Sequence, residues 1–398
     1  MWPQAAHLPH PPYLPYLPYR PHPPCCPLRF SMLRAALIGF ASSGKTALFQ
    51  LTTSAAGTAP TAHGKGETSV GISKVPDARL DRLTAMYNPR KRVPATVEFT
   101  DLAAAGGGAK ALVDVVAYKN ADALVHVVRA FRDPAVPHPS GQVEPARDAR
   151  AMEDELILAD LGVAERRLER IEKDLKKSRS ADLERERDVL VVCRQALEDG
   201  RPLRALDLHG EELKRLRGFQ FLSAKPLLIV INLDEADLTA GGEAAMRIEH
   251  AADRSGLTPF LSQAATAASA VCAKIELEIA QLEPADAAAF LGDLGLAESG
   301  LDRVIRASYD LLGYISFLTV GEDECRAWSV PRGTPAQLAA GEIHSDIARG
   351  FIRAEVVSYD HLIARGTMAA CREHGELRLE GKEYIVQDGD IMNFRFAT

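Results

Sequence analysis

Gly39-Phe40-Ala41-Ser42-Ser43-Gly44-Lys45-Thr46 is the stretch on which the fold turns. It is a complete G-x-x-x-x-G-K-[ST] string, set between the apolar run Ala35-Ala36-Leu37-Ile38 and Ala47-Leu48-Phe49-Gln50-Leu51, which reads as a helix. A strand, a glycine-bounded loop and a helix start, in that order, make a phosphate cradle. Phosphates need many donors at short range. Successive backbone N–H groups from Ser42 to Ala47 supply them, and the helix N-terminus adds partial positive charge. Glycine lets the main chain come close. Every residue of the quoted stretch, with Ala47, is a nucleotide-binding candidate. Lys45 is the candidate catalytic cation, reaching the β- and γ-phosphates, and the Thr46 hydroxyl completes a Mg²⁺ shell.

Outward from this loop, further strands read as Ala95-Thr96-Val97-Glu98-Phe99-Thr100, Ala123-Leu124-Val125-His126-Val127-Val128 and Pro226-Leu227-Leu228-Ile229-Val230-Ile231. The last two are nearly all apolar and helical text separates them, which predicts an α/β fold with a mostly parallel sheet covered by helices on both faces. Asp101, at the tip of the first of these strands, is the natural carboxylate for the metal beside Thr46. Asn232-Leu233-Asp234-Glu235 ends the last strand, where guanine-specific proteins carry N-K-x-D. Glu235 is one methylene longer than the aspartate that pairs with guanine, and Leu233 replaces the stacking lysine stem. An Asn amide also suits adenine N6 and N7, so ATP is the expected ligand and GTP the alternative. Ala273, in Cys272-Ala273-Lys274, is the candidate for the base-side loop. Ser223-Ala224-Lys225 has a similar look but precedes the strand and is topologically misplaced.

Between the third and fourth strands, Leu161, Ala164, Leu168, Ile171 and Leu175 recur at spacings of three and four, and Leu183, Leu190 and Leu197 follow after Ser178-Arg179-Ser180. This predicts an antiparallel helical hairpin over residues 151–220, inserted into an NTPase domain spanning 32–150 and 221–312. Beyond about Tyr314, short β-like runs punctuated by glycines predict a small α+β module over 313–398. Residues 1–31 hold ten prolines and read as a disordered Pro-rich extension, with Met32 as an alternative start. The 398 residues carry a mild net charge of −7, so contact with nucleic acid must rest on a local patch, and no DNA specificity is expected. Six scattered cysteines lack C-x-x-C spacing, which argues against a zinc site or disulfide framework and for a reducing cytosol. No apolar run approaches the roughly 20 residues of a membrane-spanning helix.

The order of P-loop, Asp101, helical insertion, N-x-x-E and C-terminal module resembles the YchF or Obg-like ATPase family. Val75-Pro76-Asp77-Ala78-Arg79-Leu80-Asp81, Glu155-Leu156-Ile157-Leu158-Ala159-Asp160-Leu161, Gly300-Leu301-Asp302-Arg303-Val304-Ile305-Arg306 and Tyr384-Ile385-Val386-Gln387-Asp388-Gly389-Asp390 read much like it. The resemblance implies a Mg²⁺-dependent P-loop ATPase preferring ATP over GTP, with a coiled-coil insertion and a C-terminal TGS domain of β-grasp fold. It also implies association with the ribosome or ribosomal RNA through the hairpin and the TGS domain. Departures from the family pattern cluster in the switches. Ser42-Ser43 stand where the family has Asn-Val, and Lys65 where it has a metal-facing Thr, with Thr61 and Thr68 as alternatives. The D-x-x-G glycine after Asp101 is replaced by Ala104, the glycines arriving only at Gly106, Gly107 and Gly108. Alanine resists the positive-φ geometry that glycine permits. No glutamine follows to orient a water. Nucleotide binding with slow hydrolysis is therefore expected, and a nucleotide-bound scaffold is the rival. In the C-terminal module, His344 reads as a structural histidine, whereas Arg349, Arg353 and Arg378 read as a local basic patch if they share a face.

Overall fold

The structure, a computed structural model, describes residues 33–54, 68–102 and 118–397. Its first sheet runs in the order β2-β4-β1-β5-β6-β7. Strands β1 (Leu33–Ile38) and β4 (Thr96–Leu102) flank the P-loop side, and β5 (Ala123–Arg129), β6 (Leu227–Asn232) and β7 (Thr266–Val271) follow in parallel. The outermost strand β2 (Thr68–Lys74) pairs antiparallel with β4. All residues of β5 and β6 are buried, as expected where helices cover both faces. Neither β2 nor β7 was legible: Thr68-Ser69-Val70-Gly71 and Thr266-Ala267-Ala268-Ser269 lack an apolar run, and pairing with a formed neighbour decides them.

One face of the sheet packs Leu37, Phe99 and Val125 against helix α1 (Lys45–Ser54) and helix α2 (Ala78–Tyr87). Asp77 caps α2 by accepting the Arg79 N–H, and Asn88 ends it in the left-handed region. Each fully buried Leu, Ile or Phe contributes roughly 1.5–3 kcal/mol. The other face packs Ile38, Leu124, Ile229 and Ile231 against Met152, Leu156 and Phe260.

The hairpin consists of α3 (Pro145–Lys177), about 50 Å long at 1.5 Å per residue, and α4 (Ala181–Glu198). Its first helix starts six residues before position 151, with Pro145 at the first helical position, where a missing N–H costs nothing. Ala164, Leu168, Ile171, Leu190 and Leu197 form its buried seam. The base is fastened by Asp160, which accepts from Leu222 N, Ser223 N and the Ser223 hydroxyl ahead of β6, and by the buried ion pair of Glu153 with Arg204, whose Nε also donates to the Thr266 hydroxyl of β7 (3.1 Å). Ser223 thus anchors the insertion, away from the P-loop.

Helices α5 (Glu235–Met246), α6 (Ala273–Ile279) and α7 (Gly300–Leu311) also belong to the first layer system. The second sheet has the order β11-β10-β12-β8-β9-β3. It comprises β8 (Tyr314–Thr319), β9 (Glu324–Pro331), β10 (Phe351–Ser358), β11 (Arg378–Glu380) and β12 (Asp390–Phe396), with α8 (Ala336–Ile343), α9 (Ser345–Arg349), α10 (Tyr359–Arg365) and α11 (Met368–Glu373). Its edge strand β3 (Lys91–Val93) comes from the first part of the chain and pairs in parallel with β9. The two sheets also share one apolar core, in which Leu80 and Tyr309 meet Leu318, Cys325 and Ile391. Across this junction Arg79 makes a forked pair with Asp388, whose Oδ1 also accepts the Ser316 N–H.

Candidate functional site

The loop from Gly39 to Gly44 sits at the C-terminal ends of β1 and β5, the crevice where open α/β sheets bind ligands. Gly39 (φ 142°) and Gly44 (φ 99°) hold backbone conformations that side chains avoid. A Cβ on Gly39 would come 2.5 Å from the Val127 carbonyl, and one on Gly44 would overlap Asn232 Nδ2. Ser42 is also left-handed (φ 61°), a strained choice for serine that costs about 1–2 kcal/mol.

Lys45 folds over this loop and donates to the carbonyls of Gly39 (2.7 Å) and Phe40 (2.6 Å). Burial pushes its pKa down, while the Asp101 carboxylate opposes that shift. Two of the ammonium's three N–H groups are thereby fixed, which presents the charge to a phosphate at a set position. Thr46 Oγ1 lies 3.4 Å from Asp101 Oδ2, and Asp101 is buried at the tip of β4. A hydroxyl and a carboxylate oxygen side by side are the hard-oxygen donors that Mg²⁺ accepts with phosphates and water. The residues present therefore fit the ion.

Asn232 is placed differently from a simple base reader. Its Nδ2 donates to the Ser43 carbonyl (3.0 Å) and its Oδ1 accepts the Ala273 N–H (3.0 Å), so the side chain ties the P-loop to the start of α6. Leu233 is buried. Asp234 caps α5, and Glu235, the first residue of that helix, pairs with Lys274. Ala273 and Lys274 thus contact Asn232 and Glu235. Lys65, Thr61, Ala104 and Gly106 to Gly108 lie outside the described residues, and Thr68 enters only through its backbone in β2.

Two further residues, Arg129 and His126, frame the loop and carried no motif. Arg129, buried at the end of β5, donates to the carbonyls of Val136 (2.7 Å) and Ser42 (3.4 Å) and lies over the Phe131 ring. It fastens the 131–136 segment to the P-loop, and Arg132 N reaches Asp234 (3.0 Å) from that segment. His126 is fully buried beneath Gly39; burial, and then the Lys45 ammonium, push its pKa down to about 3, so it is neutral. An arginine or histidine in an otherwise apolar strand was the only available signal.

A glycine-cornered amide loop at a strand end, a lysine folded over it, and a Thr–Asp oxygen pair define a P-loop NTPase fold joined to a C-terminal β-rich module. Comparison with known proteins agrees. Residues 314–397 match the family model YchF-GTPase_C, described as a protein of unknown function (DUF933). The ribosome-binding ATPase YchF of Bacillus subtilis (strain 168) is 42% identical over 375 residues, covering 92% of this chain and 99% of that protein. That of Escherichia coli O157:H7 is 36% identical over 379 residues, covering 91% and 99%. The solved structure of the Schizosaccharomyces pombe YchF GTPase superposes with a TM-score of 0.76 at 28% identity, over 91% of this chain and 97% of that one. This chain belongs to the YchF family.

Proposed function

We propose that the protein is an ATP-binding, slowly hydrolysing P-loop NTPase whose nucleotide state governs association with the ribosome. The observation that carries the reading is the convergence of Lys45, Thr46 and Asp101 on a loop with glycine corners between a strand and a helix. Backbone N–H groups from Ser42 to Ala47 bind the phosphates, and Lys45 neutralises their charge. Thr46 and Asp101 would hold Mg²⁺, which when bound supplies electrostatic stabilisation of the transferring phosphoryl group. Asn232 keeps the loop and the base-side segment in register, and the adenine edge meets the Ala273 end of that segment. Glu235, occupied by Lys274, offers a poor acceptor for guanine donors, which favours adenine. The names of the B. subtilis and E. coli relatives support both ATP and the ribosome as ligands; the name of the S. pombe structure keeps GTP as the alternative.

Calorimetric titration with ATP and GTP, with and without Mg²⁺, tests the base preference and the metal site together. A strong guanine preference overturns the reading of Glu235. Single-turnover hydrolysis with and without ribosomes then separates an ATPase from a nucleotide-bound scaffold. Phosphate release no faster than that of Lys45→Ala under both conditions leaves the scaffold.

A further inference from the structure

The C-terminal sheet turns alternate residues of β10 and β12 to opposite sides. Ala354, Val356, Met392 and Phe394 pack with α8 residues Ala336, Ala339 and Ala340. On the reverse side Val357 and Ile391 are covered, in one core with Leu362 of α10 and Cys371 of α11. Further along the same side the cover ends. There Arg353 and Arg395 stand directly opposite each other across the two strands, with Glu355 opposite Asn393 in the next pair and Leu379 of β11 opposite Glu355. Like charges facing each other across a ladder repel. Glu355 relieves only part of this: it accepts from Arg395, from Arg372 of α11 (3.1 Å) and from Asn393 (3.1 Å). Arg353 is exposed and has no ion-pair partner among the described residues.

We propose that this open half-face, centred on Arg353 and Arg395, docks the phosphodiester backbone of RNA. The inference deepens the ribosome reading above and rests on it. Three arginines against one glutamate leave the patch at +2 on a chain of net charge −7, so the local field opposes that of the molecule. Guanidinium forks match phosphate oxygens in pairs. Partners in an antiparallel ladder stand about 5 Å apart at Cα, close enough for two arginines to share one phosphate or take consecutive ones. Leu379, 55% exposed, and Asn393 add an apolar platform and an amide beside the charges, which suit an unpaired ribose and base. Of the arginines singled out in the sequence, only Arg353 belongs to this patch. Arg378 points to the other side, against Tyr384 and Asp390, and Arg349 pairs with Asp346.

The test is fluorescence anisotropy of a labelled mixed-sequence oligoribonucleotide of about 12 residues, within the footprint of one small binding module, with the full chain, across a KCl series. A labelled poly-glutamate peptide is the second arm. Three arginine contacts predict a log–log salt slope of about −2, and Arg353→Ala should flatten it by about 0.7 and weaken binding on the order of tenfold. Arg395→Lys, which keeps the charge over Glu355 but loses the fork, should give a smaller loss. ATP affinity should be unchanged in both variants. Equal RNA binding by Arg353→Ala and the parent overturns the proposal, as does poly-glutamate binding as tight and as dependent on Arg353. Co-sedimentation with ribosomes separates the two readings. If the parent and Arg353→Ala sediment equally with ribosomes, this surface fails and the ribosome reading stands. If the parent does not sediment but its RNA binding depends on Arg353, the surface stands and the ribosome reading fails.

Discussion

Replacing Asn232 by alanine tests whether that side chain builds the phosphate loop or only reads a base. The residue is 3% exposed and serves two main-chain groups, the Ser43 carbonyl and the Ala273 N–H, each at 3.0 Å. Truncation leaves both groups buried without a partner. Each unsatisfied group costs about 1–3 kcal/mol, so the loss should be about 3 kcal/mol in all. Asn232→Asp keeps the acceptor for Ala273 but turns an oxygen toward the Ser43 carbonyl, so it should be no milder at the loop. Urea unfolding measures the stability, and calorimetry with ATP and with inorganic tripolyphosphate measures the site. Because the damage falls on the loop, both ligands should weaken by a similar factor, on the order of tenfold. Unchanged tripolyphosphate affinity alongside weakened ATP binding would refute the argument and return Asn232 to base recognition alone.

Other expectations are more local. At Ser42, held at φ 61°, Ser42→Asn should be at least as stable as the parent, whereas Ser42→Val should lose about 1–2 kcal/mol by thermal unfolding, because branched side chains resist this region. The Arg79–Asp388 fork joins the two modules, and a double-mutant cycle with Arg79→Met and Asp388→Asn should return a coupling on the order of 1 kcal/mol; a value near zero denies the clamp. For Glu355, burial favours the neutral form, but hydrogen bonds from Arg395 and Asn393, and the charge of Arg372, outweigh it and hold the carboxyl below its usual range. Its contribution is thus present above the ordinary carboxylate value of about 4.3 and disappears as pH falls through the lower folded value. Urea midpoints between pH 7 and 3 should therefore fall more steeply for the parent than for Glu355→Gln. Lys274→Ala should remove the ion pair on Glu235 and raise the GTP-to-ATP affinity ratio, read by competition for one labelled analogue.

The phosphate loop, the four apolar strands and the hairpin seam were legible because each is a local pattern: a motif between a strand and a helix, continuous apolar runs, and a heptad spacing. The placement of Lys45, Thr46 and Asp101 followed from the same logic, since a strand end beside a P-loop fixes what can meet there. Strands β2, β3 and β7 were not legible, being short or weakly apolar and held by their neighbours in the sheets. His344, read as structural, caps α9 through its Nδ1. The linear order Asn232-Leu233-Asp234-Glu235 could say that these residues end a strand, and it could not say that the Asn232 carboxamide is spent on Ser43 and Ala273, which lie 189 and 41 positions away.

The sequence by itself determined that a polyphosphate-binding loop opens an α/β sheet, because amide donors, glycine freedom and strand-to-helix context are properties of neighbouring residues. Only the tertiary structure decided that Arg129 and Asn232 brace that loop, that β3 stitches one module to the other, and that Arg353 faces Arg395 rather than Arg378. Those relations depend on register and on which face a side chain takes, and a single shift in strand pairing would reverse them.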